Sequence, residues 1–176
     1  MNARKALAAA AAFVALACTA TPAAARDADP VPEQSGLTIT VPASVALGAA
    51  APHGNASAQL GTVRVSDNRG LGAKNWTASV TTTTFTTGTA TALETIPKSA
   101  ILYWSGPATI TSGTGIFSPG QATANDAVTL DVQRTAFTRT GVSGNNSASW
   151  RPTVRVNVPD TAVSGTYTGR LTHTVL

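Results

Sequence analysis

The sequence predicts an all-β fold: a single β-sandwich of antiparallel strands, Greek-key and Ig-like in type, with a Greek-key barrel as its near alternative. Three observations predict it. Short runs alternate apolar and polar residues with period two, β-branched residues (Thr above all) dominate those runs, and Gly, Pro, Asn and Asp punctuate them. Beyond the N-terminal run, no window carries an apolar stripe at 3.6-residue spacing, and Glu and Lys, the usual residues of helix surfaces, are scarce.

The expected strands follow in order. Leu37–Val41, Leu60–Val65, Trp76–Val80, Ala127–Val132 and Val154–Val158 all alternate. Turn residues separate them at Asp67-Asn68-Arg69-Gly70, Gly106-Pro107, Ser118-Pro119-Gly120, Gly144-Asn145-Asn146 and Val158-Pro159-Asp160. Thr81–Thr91 holds eight threonines in eleven residues. A glycosylated stalk is one reading. The reading adopted is a Thr-rich strand and its following turn, with Phe85 pointing inward, because the stretch lacks proline and continues the Trp76 strand. Asn55, Asn75 and Asn145 head Asn-x-Ser/Thr sequons, which matter only in a host that glycosylates them.

The N-terminus has the three parts of a secretory signal peptide. Arg4 and Lys5 form a positive start, Ala6–Cys18 is an uncharged apolar run of thirteen residues, and Ala23-Ala24-Ala25 offers a small-x-small cleavage pattern. The run is shorter than the roughly 20 apolar residues that span a bilayer. Lipidation at Cys18 is the rival reading, but Ala15 stands where a lipobox has an aliphatic residue. The expected organisation is therefore a signal peptide at 1–25, a flexible acidic, proline-containing leader at 26–35, and the β-domain at 36–176. Cleavage removes Cys18, the sole cysteine, so no disulfide supports the exported domain. It also removes two of the twelve basic residues against eight acids, leaving a net charge of +2. That balance, with no Lys/Arg run, argues against nucleic acid as a partner.

The chain offers little to catalysis. His53 and His173 are the only histidines, and neither stands near a second metal ligand in sequence. His-Glu-x-x-His, Gly-x-Ser-x-Gly and Walker A patterns are missing, and the acids are scattered. A non-enzymatic domain without cofactor or metal is expected. Trp76, Trp104 and Trp150 read either as core or as platforms for sugar rings, whose apolar faces stack on indoles. In Tyr103-Trp104 a strand would send one ring inward and the other outward, and the outward one is the better ligand contact.

Two segments are informative together. Asp67, Arg69 and Gly70 precede Trp76, and Tyr167 and Leu171 lie on a late strand. This arrangement resembles the WxL-domain family of Gram-positive surface proteins, in which an Asp-x-Arg-Gly turn precedes a Trp-x-Leu strand and a distal Tyr-x-x-x-Leu strand closes the domain. The resemblance spans roughly Gly36 to the C-terminus and implies non-covalent attachment to peptidoglycan or another wall polymer, with other surface proteins as further partners. Two departures mark a divergent branch, one whose small-residue composition suits an actinobacterium. Ala78 stands where the motif has leucine, and His173-Thr174-Val175 where many members repeat Trp-x-Leu. The chain shows no sorting motif or hydrophobic tail before Leu176, which agrees with non-covalent attachment.

Read physically, Asp67–Gly70 is a turn in which Asp bonds a backbone N–H two residues on and Gly accepts positive φ. Arg69 either grips an acidic wall group or pairs with Asp67. Tyr167 resembles the corner tyrosine of sandwich domains. The expected function is that of a secreted, wall-associated binding domain. The alternative is a structural or adhesive subunit that assembles with partners by strand pairing.

Overall fold

A computed structural model describes residues 36–71, 75–141 and 144–176, together with the backbone of 14–19. The expected cleavage site and the leader at 26–35 lie outside the described residues. The fold is all-β, with antiparallel sheets packed around a shared core. Its strands are β1 (Val14–Thr19), β2 (Leu37–Thr40), β3 (Ser44–Ala50), β4 (Asn55–Gln59), β5 (Val63–Asp67), β6 (Trp76–Thr82), β7 (Phe85–Thr86) and β8 (Thr95–Ile96). They continue with β9 (Ile101–Trp104), β10 (Ala108–Ser112), β11 (Ile116–Pro119), β12 (Val128–Thr129), β13 (Arg134–Thr140), β14 (Asn146–Trp150), β15 (Thr153–Asn157) and β16 (Gly165–Val175).

The largest sheet runs β11-β13-β6-β16-β1-β3, with β7 and β8 attached beside β16. A second runs β10-β14-β5-β2 and a third β12-β9-β15-β4. Among the described pairings, β1 with β16 is parallel and all others are antiparallel. The segment read from sequence as the apolar part of a signal peptide thus pairs as a strand between β3 and β16.

Period-two alternation builds the core. Val63 and Val65 of β5 and Val154 and Val156 of β15 are fully buried, while Arg64 and Arg155 between them face away. Aromatic rings close the centre. Phe137 stacks on Trp150 with centroids 4.8 Å apart, and Trp76 meets Phe137 at 6.3 Å and Phe117 at 6.5 Å. Such pairs add about 1 kcal/mol each beyond the area they bury.

The Thr-rich segment is a strand and a turn. Phe85 is buried, and a short 3₁₀ turn at Ala92–Glu94 follows. Oε2 of Glu94 accepts hydrogen bonds from the backbone N–H and hydroxyl groups of both Thr89 and Thr91, which pins the loop.

Three expected elements differ. The strand expected at Ala127–Val132 shrinks to Val128–Thr129, because Oδ1 of Asp131 accepts bonds from the Thr129 hydroxyl and the Arg134 guanidinium, both at 2.8 Å, and bends the chain. The strand expected from Leu60 begins at Val63, since Gly61 adopts φ +89° beside Pro42. Ser118 and Pro119, read as a turn, close the edge strand β11, where a residue without an N–H is tolerated.

Candidate functional site

The sequence motif and the outward aromatic occupy two different places. The motif residues form a corner. Asp67 ends β5, its side chain almost fully buried, and its carboxylate meets Arg69 twice. Arg69 Nε donates to Oδ1 at 2.8 Å and a terminal nitrogen donates to Oδ2 at 3.0 Å. The Arg69 backbone N–H adds a bond at 3.1 Å, the two-residue Asp turn the sequence suggested. The same guanidinium donates to the Asn75 carbonyl at 2.9 Å, which ties the turn to the start of β6. Asn146, at the start of β14, donates to Asp67 Oδ2 at 3.0 Å and accepts from the Trp76 indole N–H at 2.8 Å. Gly70 sits at φ +79°, where a side chain would be strained.

Asp67, Arg69, Gly70 and Trp76 are thus brought together, and Asn146 joins them. Burial disfavours the charged form of Asp67, but the bonds from Arg69 and Asn146 outweigh it and hold its carboxyl below the usual carboxylate range. Each of these polar groups is spent inside the protein. Sequence reading noted Asn146 only as a turn residue. Its signal is faint, because β14 (Asn-Ser-Ala-Ser-Trp) is buried throughout without the apolar alternation that marks a core strand.

Tyr167 and Leu171 lie on β16, both buried. The Tyr167 hydroxyl donates to Val163 O at 3.0 Å and Leu93 O at 3.2 Å, so it ties the start of β16 to the 3₁₀ turn. The two departures from the motif are also internal. Ala78 is buried, with Phe137 and Val175 as its cross-strand partners. His173 is buried, with Nε2 3.1 Å from the Tyr103 hydroxyl and Nδ1 without a hydrogen-bond partner. Burial depresses its pKa to about 4, so the imidazole is neutral at physiological pH.

Tyr103 and Trp104 divide as their adjacency predicts. Tyr103 is fully buried, so it is withdrawn as a ligand contact, and Trp104 is half-buried on the outward face of the β12-β9-β15-β4 sheet. Cross-strand register builds the rest of that face. Trp104, Thr153 and Gln59 form one row, and Leu102, Arg155 and Ser57 the next, with Thr129 on the other side of Leu102. Asn157 and Asn55 form a third row. From the first row to the third is about 14 Å along the strands. Arg155 was not singled out from the sequence. Its Nε is shielded from solvent yet has no hydrogen-bond partner in the protein.

Asn55 and Asn157 also border a shallow polar cleft with Ser99, His53 and Asp160. In it, His53 Nδ1 lies 3.0 Å from Asp160 Oδ1, both side chains being largely exposed. Among the described residues, no group of three or more His, Cys, Asp or Glu side chains is placed to hold a metal, and no helix is long and apolar enough to cross a membrane. No protein-family model matches the chain, and no curated protein matches it.

Proposed function

We propose that this chain is a secreted surface domain that binds the cell wall non-covalently, and that the outward face around Trp104 is where it does so. The observation that carries the reading is a half-buried indole one row from a half-buried arginine, set on a polar sheet face three rows long. The apolar side of a sugar ring stacks on such an indole, Gln59 and Thr153 are at hand for its hydroxyls, and Arg155 offers a fork for a carboxylate or phosphate. Peptidoglycan and acidic wall polymers both combine these features. The resemblance to WxL domains supports the same partner, and the signal-peptide pattern supports export. In this reading the Asp67–Trp76 corner holds the fold and does not touch the ligand.

The test is co-sedimentation of the exported protein with isolated cell walls at physiological salt. The wild type is expected in the pellet, and Trp104→Ala is expected to bind at least tenfold more weakly with an unchanged circular dichroism spectrum. Wild-type protein left in the supernatant overturns wall binding. A Trp104→Ala variant that pellets like wild type overturns the assignment of the face.

A further inference from the structure

We propose that the slot between β3 and β16 is a strand-acceptor site, left open when the signal peptide is cleaved and filled by an apolar strand of another protein. The inference rests on the reading of residues 1–25 as a signal peptide. It concerns a different surface from the Trp104 face.

Register carries the argument. β1 runs parallel to β16, from Val14 opposite Gly165 to Thr19 opposite Arg170. On its other side it runs antiparallel to β3, from Val14 opposite Ala50 to Thr19 opposite Ser44. Among the described pairings, β3 has no other ladder partner. Cleavage after Ala25 would therefore leave a seven-residue strand with nothing to pair with. It would also leave Gly165–Arg170 short of partners on one side. Two facing rows of unpaired backbone N–H and C=O groups are a template for an added strand.

The chain itself offers no evident replacement. Residues 26–35, the nearest segment after the cleavage site, carry Pro30, Pro32 and three acids. Proline cannot donate in an interior strand, and carboxylates are costly between two strands. The other described strands are engaged in their own ladders. A second copy of the mature chain has the same shortage, so the donor is a different protein.

The walls describe that donor. Ala46, Gly48 and Ala49 make β3 a wall of small residues with open space at Gly48, whereas Thr87 and Phe85 already cover Gly165 and Gly169 on β16. Beyond the Thr19–Arg170 pair, Ser44 and Leu171 border a small, mainly apolar recess that Val41, Pro42, Val45 and His173 also line. The expected donor is thus a segment rich in Val, Ala, Leu and Thr that runs parallel to β16.

The test uses the exported chain, its start at Arg26 established by N-terminal sequencing, and a synthetic peptide with the sequence of residues 13–21. Amide hydrogen exchange is read at residues 44–50 and 165–170. Expected are fast exchange in the chain alone, at least tenfold slowing with the peptide, and no slowing with a peptide carrying Ala17→Pro. If the chain does not fold alone, refolding driven by the first peptide and not by the second supports the site, and failure with both overturns it. Slow exchange without peptide means that β3 closes directly onto β16, which overturns the proposal. So does a retained signal peptide, or self-association that the peptide does not dissolve. Loss of wall binding alone leaves this result untouched, so the two readings fail separately.

Discussion

The Asp67–Trp76 corner and the Trp104 face both carry a tryptophan beside an arginine, yet they differ in where their polar capacity goes. At the corner, Asp67, Arg69, Asn146 and the Trp76 N–H satisfy one another. On the face, Trp104 and Arg155 are each only half-buried, in neighbouring rows with Thr153 and Gln59. A closed network holds strands in register, and polar side chains that reach the surface can hold something else. The more recognisable motif is therefore the one with less to offer a ligand.

The comparison breaks first at Trp76. Trp76→Ala removes a buried indole from the aromatic cluster and strands Asn146 Oδ1, and should cost about 4 kcal/mol in urea unfolding. If Trp76→Ala unfolds at the wild-type midpoint, the corner is not structural. Asp67→Ala comes next. It leaves the shielded Arg69 guanidinium and Asn146 without their main acceptor, and a loss of about 3 kcal/mol is expected by the same measurement.

Acid tests the corner against a third place, the buried His173 beside Tyr103. His173 is neutral when folded and has its pKa lowered to about 4, so between pH 6.5 and 4 the unfolded chain binds more protons than the native one. Stability should fall across that window by up to about 3 kcal/mol, and His173→Phe should flatten this part of the profile. Asp67 acts lower, since its carboxyl is depressed when folded. Its contribution is present above the ordinary carboxylate pKa and is lost only as the pH drops through the lower folded value. A stability profile flat from pH 6.5 to 4 would remove His173 as the sensitive group. The smallest expected effect on stability is at the face. Trp104→Ala should shift unfolding by no more than about 1 kcal/mol while reducing wall binding, and a large destabilisation would return Trp104 to the core.

The sequence foretold the fold wherever apolar residues alternate against polar ones. Val63 and Val65, Val154 and Val156, and the inward Phe85 are of this kind. It was silent where small polar residues are buried by backbone geometry, as in β14, and where a side chain captures the chain locally, as Asp131 does. At the site, adjacency in sequence separated Tyr103 from Trp104, because successive residues of a strand face opposite ways. Arg155 could not be found that way. Its place beside Leu102 and one row from Trp104 depends on pairing between β9 and β15, about fifty residues apart, and only register supplies it.

The central position of β16 also bears on how the molecule is made. This strand joins β6 and β7 on one side to β1 on the other, so the largest sheet cannot close until residues 165–175 have been synthesised. A nascent chain would carry its earlier strands without that partner throughout translation. Folding dominated by such distant pairings falls on the millisecond-to-second scale. In the proposed reading of an exported chain, that delay is the interval in which an extended polypeptide is threaded through a narrow conduit before it acquires a shape too wide to pass.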